Sequence, residues 1–409
     1  MPINTDANIS LKNFKFIYTG LICLFLGLTA SPTLVAGYHI LIFVPTVLLM
    51  IAGSRFSLSK SSWALVALVG WGLISTFYNL ETLIKPNKSF QELKYYFFGI
   101  YSIIALKYFL NFATKKQIKT LLNLLLFAII VGFFVGIARS KFSFDPVKWV
   151  SVPGKYHTRA GGFTNYMRYG YSSALLLVLG FGAWFNYDKL KDYISKKWLL
   201  TFLVFNILAV VFSETRGALL VLTVGGSFLL LKYKPLVGKS LLGVGIAAVI
   251  SIGVYSINQK STNRYLNIND GSNKIRLSQF YTAYKTIQEK PFFGLGADQF
   301  SYNVKALKIK YDIWAKNYAS HSHNIFLEHA ANYGIPGLIA FILFLAFWFW
   351  EMIKLKTDFS WVIASYIVGF TVGGQVELLF DVINSHLIFF LYSFSQLALL
   401  NNSQKKIMT

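Results

Sequence analysis

Cysteine is almost absent from this chain: Cys23 is the only one among 409 residues, and it lies inside an apolar run. Disulfide frameworks and thiolate metal sites are thereby excluded, and the thiol itself reads as a small apolar filler. Charge is scarce too, at 13% of residues, and acids are scarcer still, with 16 Asp and Glu against 39 Lys and Arg. With 55% hydrophobic residues and a mean hydropathy of +0.53, the chain reads as a polytopic membrane protein. The formal charge of +23 raises the possibility of nucleic acid, but the basic residues are scattered through short segments between apolar runs, so no nucleic-acid partner is expected. No internal repeat of the kind common in transporters is visible, which weighs against a transporter or flippase.

What is there is apolar sequence, almost end to end. About 20 apolar residues cross the hydrocarbon layer of a bilayer. Runs at 16–30, 34–53, 63–78, 95–112, 120–138, 167–186, 198–213, 217–231, 240–257, 334–350, 361–377 and 383–400 predict an all-α bundle of about twelve spanning helices. With the N-terminus in the cytoplasm, the inner loops carry Arg55 and Lys60, Lys115, Lys116 and Lys119, then Lys189, Lys191, Lys196 and Lys197. Lys232, Lys234 and Lys239, Lys354 and Lys356, and Lys405 and Lys406 in the tail complete a positive-inside pattern with both termini cytoplasmic. The first run, preceded by Lys12 and Lys15, has the outline of a cleaved signal sequence. A second span follows at once and the charge pattern agrees with its being kept. The expected organisation is nine spanning helices over 1–257, an outer loop over 258–333, and three more helices with a cytoplasmic tail over 334–409.

Two outer segments are basic: residues 139–165, with Arg139, Lys141, Lys148, Lys155 and Arg159, and the long loop itself. A solvated surface or attraction to anionic headgroups is one reading; an anionic substrate on the outer face is the other. The loop is expected to be folded. Leu277, Phe280, Tyr281, Tyr284 and Ile287 recur at helical spacing before Pro291. Phe300, Val304, Leu307, Tyr311, Trp314 and Tyr318 form a second stripe, opposed by Lys305, Lys308 and Lys316. Both read as helices along the membrane interface, or as helices packed on the protein's own spans. The Gly-x-Gly of "PFFGLGADQF" between them is a turn signal, too weak for a nucleotide loop.

Polar residues cluster at three costly places. "VFSETRGALL" sets Glu214 and Arg216 in the turn between two apolar runs, and "NDGSNKIRLSQF" carries Arg276 at the start of the first loop helix. "SHSHNIFLEHAANYGIPG", residues 320–337, brings His321, His323 and Asn324, and the last outer turn adds Glu377, Asp381 and His386.

In this order, "SETRGALL", "IRLSQF…KPFFGLGADQF" and "HSHNIFLEHAANYGIPGL" resemble the O-antigen ligase and polymerase superfamily of bacterial inner membranes, over about residues 155–385. The most specific element is the His-Asn pair followed by "YGIPG"; residues 1–150 match only as apolar helices. The resemblance implies transfer of a glycan from undecaprenyl pyrophosphate to an acceptor on the periplasmic face, with no metal, cofactor or nucleotide. Lipid A-core is the acceptor for a ligase. It also implies functional arginines at Arg216 and Arg276, a functional histidine at His323, and, on a shorter motif, an acid at Asp381. Arg159 and Asn324 stand as supporting candidates. No catalytic role is carried onto His321.

The chemistry agrees with that resemblance. A sugar on pyrophosphate already has a good leaving group, so the protein must neutralise phosphate and deprotonate the incoming hydroxyl. Arginine's planar fork binds phosphate oxygens bidentately and stays charged. A neutral imidazole, with an ordinary pKa of about 6.5, accepts a proton near physiological pH. An inverting displacement would follow. His321-x-His323 is also a metal-type spacing, but it needs a third ligand, and neither Glu328 nor His329 completes a zinc-protease motif. A helix-capping role for His323 and a packing role for His329 are the structural alternatives. An O-antigen polymerase or a protein O-oligosaccharyltransferase would share these residues.

Overall fold

The computed structural model describes residues 7–30, 32–51, 58–147, 150–151, 159–163, 166–241, 243, 271–317, 320–379 and 382–407. Helices dominate: α1 (Ala7–Ala30), α2 (Pro32–Ile51), α3 (Lys60–Tyr78), α4 (Pro86–Phe112), α5 (Lys115–Lys141), α6 (Tyr166–Phe185), the single turn α7 (Tyr187–Leu190), α8 (Lys196–Ser213) and α9 (Arg216–Tyr233). α10 (Gly271–Glu289), α11 (Phe300–Lys310), α12 (Ile325–Leu355), α13 (Asp358–Gly373) and α14 (Val382–Ile407) follow. The expected apolar runs coincide with these helices, except 240–257, which lies almost wholly outside the described residues. The protein is thus a helical membrane protein. α3, α5, α8, α9 and α12 are long and apolar enough to cross a bilayer, and shorter apolar stretches lie at Asn13–Gly27, Gly37–Ile51, Asp358–Gly373 and Ser385–Leu400. One two-residue antiparallel ladder pairs Phe144–Asp145 with Val150–Ser151.

Helix starts are fixed by local chemistry. Ser59, Ser195 and Thr357 each accept from a backbone N–H three residues on, and Thr114 with Gln117 makes a reciprocal capping box at α5. At α3 a carboxylate from elsewhere helps: Glu351 of α12 accepts from the Ser61 N–H at 3.0 Å and from its hydroxyl at 2.5 Å. A negative group there also suits the positive end of the helix dipole.

α12 packs along α3, α13 along α9, and α6 against both α8 and α9. α12 is broken near its start. Gly334 has φ 71° and ψ −176°, and a Cβ there would land on the Phe292 carbonyl oxygen. Only glycine tolerates that conformation at so close an approach. The break frees carbonyls that the segment before α12 then uses: Leu295 N–H donates to Ala331 O at 3.0 Å and Gly296 N–H to Asn332 O at 2.9 Å. In return Ile335 N–H donates to Pro291 O at 2.7 Å, and Trp71 of α3 bonds the Tyr333 carbonyl at 2.7 Å. "YGIPG" is therefore the joint that fastens the loop to the bundle. The expected border at 333/334 falls on this kink, inside one continuous helical element.

The two loop helices divide between the two expected readings. On α10 the buried face is Ser278, Gln279, Thr282, Ala283 and Thr286, whereas Leu277, Tyr281 and Tyr284 are exposed. The hydroxyls tolerate burial because each bonds back along its own helix: Ser278 to Ile275 O, Thr282 to Ser278 O and Thr286 to Thr282 O. The outward aromatic face is what a helix lying at a membrane surface presents. On α11 Phe300, Val304 and Leu307 do face inward, but Lys308 is buried with them instead of opposing them, its ammonium donating to Ala315 O at 3.3 Å. Trp314 is half exposed, and Tyr318 lies outside the described residues.

Candidate active site

The site assembles where α12 begins and α13 ends. Asn324 caps α12, its side-chain oxygen accepting from Phe326 N–H and Leu327 N–H at 2.9 and 3.0 Å. Its amide group donates to the Gln375 carbonyl at 3.1 Å, and Ile325 N–H donates to Gly374 O at 2.7 Å. One cap thus fixes both the helix start and the turn that carries Glu377. From the other side Glu328 reaches back to accept from the Ser322 N–H at 2.6 Å. Pinned at both neighbours, His323 sits at φ 56°, a left-handed conformation that costs a non-glycine residue on the order of 1–3 kcal/mol and is found most often at functional sites.

Glu377, 2% exposed, is the centre of the cluster. His323 Nδ1 lies 3.1 Å from each of its oxygens, and His321 Nε2 lies 2.6 Å from Oε1. The two rings are 4.3 Å apart between centroids. Arg276 Nη2 stands 3.6 Å from Glu377 Oε2 and the same distance from the Met167 sulfur. Burial alone would push the Glu377 carboxyl up, but hydrogen bonds from both histidines and their positive charge outweigh it and hold the group well below the usual carboxylate range. Burial lowers the His323 pKa, and the bond and charge of Glu377 oppose that shift without cancelling it. The consistent proton arrangement is an ionised Glu377 accepting from His323 Nδ1–H and His321 Nε2–H. This leaves the His323 Nε2 lone pair as the basic atom.

Arg216 opens α9 directly after Thr215, whose hydroxyl donates to Tyr166 O at 3.1 Å. The next residue must be glycine: a Cβ on Gly217 would land on the Tyr171 hydroxyl. A Cβ on Gly373, at the end of α13, would also meet the Tyr171 ring, so Tyr171 links the start of α9 to the turn that carries Glu377. Arg159 is buried near this junction, its guanidinium 3.3 Å from the centroid of Tyr166. Arg139, in the same basic segment, is paired with buried Asp145 at 3.0 Å. Lys148 and Lys155 lie outside the described residues, as does Asp381.

Residues 201–342 match the family model described as O-antigen ligase. This segment is similar to the O-antigen ligase family. The match covers 142 of the 409 residues and supports a likeness to the O-antigen ligase superfamily. No curated protein matches the chain. The matched ligase segment holds Arg216, Arg276, the histidine pair, Asn324 and the kink, whereas Arg159 and Glu377 lie outside it.

The structure therefore brings together His323, Arg276, Asn324 and, through Tyr171, the start of α9 at Arg216. His321, given no role from sequence, shares the same carboxylate. His386 does not join the cluster: it is buried elsewhere, its Nε2 2.6 Å from His39 Nε2. His329 packs, bonding Ile325 O at 2.6 Å and the Tyr96 hydroxyl at 2.8 Å. The residue whose importance the sequence hid is Glu377. "GQVELLFD" offers two acids four residues apart, and the sequence alone does not single out Glu377. Glu377 also supplies the third donor that the metal alternative needed, since the three donor groups of His321, His323 and Glu377 lie within 4.8 Å of one another.

Proposed function

We propose that this protein is an O-antigen ligase, transferring glycan from undecaprenyl pyrophosphate to lipid A-core on the periplasmic face of the bacterial inner membrane. The observation that carries this reading is the junction of a buried His323–Glu377 pair with Arg276, at the end of the bundle where the outer loop is fastened. In the proposed reaction Arg216 and Arg276 bind the pyrophosphate, with Arg159 supporting them. His323 Nε2 takes the proton of the acceptor hydroxyl as that oxygen attacks the anomeric carbon. The bond from that carbon to the pyrophosphate oxygen breaks with inversion, and undecaprenyl pyrophosphate leaves with the electron pair. Ionised Glu377 stabilises the imidazolium as it forms, as a carboxylate behind a catalytic histidine does elsewhere. Asp381 remains a supporting candidate.

The reading includes a topology: about twelve spans, both termini cytoplasmic, and residues 258–333 outside between spans nine and ten. The outward aromatic face of α10 supports a loop lying on the membrane. A polymerase would use the same donor and the same arginines, and so would a protein O-oligosaccharyltransferase; a transporter would not need the His323–Glu377 pair. Deletion of the gene separates these. Loss of a ligase leaves surface lipopolysaccharide with core only, while long glycan accumulates on the carrier lipid. Core bearing a single repeat unit, restored to a ladder by the intact gene but not by His323→Ala, would assign a polymerase instead.

A second reading has an observation of its own. The donors of His321, His323 and Glu377 would suit a divalent ion if both imidazoles turned lone pairs inward. Loss of activity in chelator, restored by added zinc, would establish that reading; activity unchanged in chelator supports the metal-free base.

A further inference from the structure

At the opposite end of the bundle from the histidines lies a partly open cavity of about 250 Å³. Phe25 of α1, Leu122 of α5, Ala183 of α6, Trp198 of α8 and Leu387 of α14 contribute to its walls, so it lies where these five helices meet. It is smaller than the roughly 300–1,000 Å³ of ordinary small-molecule sites and almost wholly apolar, which suits one hydrocarbon chain and no headgroup.

Two observations outside the apolar lining point to what occupies it. The Trp198 indole nitrogen is buried and finds no acceptor among the described residues, although tryptophan N–H groups are normally bonded when buried. Around the same end stand Lys119, Lys191, Lys196 and Lys197, all in or beside the short segments that join α5, α7 and α8 to their neighbours. Asp192 is engaged with Lys115 at 2.7 Å, and Lys191 and Lys119 also act on it. Lysine there exceeds acid.

We propose that this cavity is a binding site for an anionic phospholipid of the surrounding membrane. One acyl chain fills the apolar space, an ester or phosphate oxygen accepts the Trp198 N–H, and the lysines hold the headgroup by charge. Such basic pockets between helices are a recognised mode of lipid binding, with each nearby cation contributing about 1 kcal/mol. The proposal stands independently of the transfer reaction, because no residue of the His323 cluster takes part.

The test uses the full-length protein purified in detergent and titrated with phosphatidylglycerol or phosphatidylethanolamine of matched chains, read by native mass spectrometry and by thermal unfolding. Phosphatidylglycerol should be retained and should raise the melting temperature, and phosphatidylethanolamine should do neither to a comparable extent. Lys191→Gln combined with Lys196→Gln and Lys197→Gln should erase the preference for the anionic lipid. Ala183→Phe, which fills the cavity, should remove binding of both. Trp198→Phe keeps the ring while deleting the donor, and should lower phosphatidylglycerol retention several-fold in a protein that still folds. Equal retention of the two lipids by the unaltered protein would overturn the proposal, as would undiminished phosphatidylglycerol binding by Trp198→Phe.

Discussion

His321 and His323 at the loop end, and His39 and His386 within the bundle, are both imidazole pairs in ring contact, with centroids 4.3 and 4.7 Å apart. Their described surroundings differ. The first pair shares an ionised carboxylate and has Arg276 alongside. The second is linked nitrogen to nitrogen, with the Tyr101 hydroxyl on His39 Nδ1 at 2.8 Å and the Phe98 and Tyr95 rings around it. A proton arriving at His323 makes an imidazolium opposite Glu377. A proton arriving at His39 makes a cation beside the Tyr101 hydroxyl and the Phe98 ring, an arrangement burial disfavours. Burial and histidine content are common to both; at His323 the Glu377 carboxylate is there to meet a proton that arrives on the ring.

The largest expected effect breaks the comparison if it fails. His323→Ala should lower the rate of transfer from purified lipid-linked donor by about 10²–10⁴-fold, the usual contribution of a general base, and leave donor binding intact. His386→Phe should leave the rate within a few-fold of the unaltered enzyme. Equal losses in the two variants, with both proteins inserted and abundant, would remove the distinction drawn here.

Next in size are the arginines. Lysine at position 276 or 216 keeps the charge and loses the fork, so Arg276→Lys and Arg216→Lys should each weaken the use of donor by about 10- to 150-fold, corresponding to roughly 1.5–3 kcal/mol for a charge-assisted bond. Steady-state kinetics against donor concentration measures it. Arg216→Lys with ordinary kinetics would confine the pyrophosphate site to the outer loop.

Much of the fold was legible because apolar runs of spanning length announce helices whatever their neighbours, and described helices coincide with eleven of the twelve runs. The order of the polar motifs was legible from the sequence, but the kink at Gly334 was not, because the apolar run of that span begins there. What stayed hidden depended on which way a side chain turns. Periodicity put Leu277, Tyr281 and Tyr284 on one face of α10 but could not say whether that face meets protein or lipid. Lys308 looked solvent-facing by spacing, yet its ammonium finds a carbonyl inside. Glu377 and His386 looked like equal members of one turn, and the start of α14 carries His386 away to His39.

A smaller shift sharpens the comparison further. Burial lowers the His323 pKa, and Glu377 partly offsets this by favouring the charged ring. The base is active when neutral, so activity should fall with decreasing pH along a limb lying below the ordinary histidine value of about 6.5. Glu377→Gln removes the partner that favours protonation. The limb should therefore move to still lower pH while the maximal rate drops, because the forming imidazolium loses its counter-charge. An upward shift of the limb would mean that Glu377 does not act on His323 in this way.

The smallest expected effect concerns the cap that joins the two halves of the site. Asn324→Ala deletes the bonds to Phe326 N–H and Leu327 N–H and the contact to Gln375, so it should cost about 1 kcal/mol of stability by the usual measure of an N-cap. Asn324→Asp restores the two cap bonds, and a negative charge at a helix N-terminus is favourable there. It does not restore the donor to Gln375, since an ionised carboxylate can only accept. Asp should therefore recover most of the melting temperature but little of the activity, because the turn that presents Glu377 to His323 is no longer held. Thermal unfolding measured beside the transfer rate reads both at once. Full recovery of activity with Asp would mean that the α12 start alone places His323, and that the link across to Gln375 contributes nothing to catalysis.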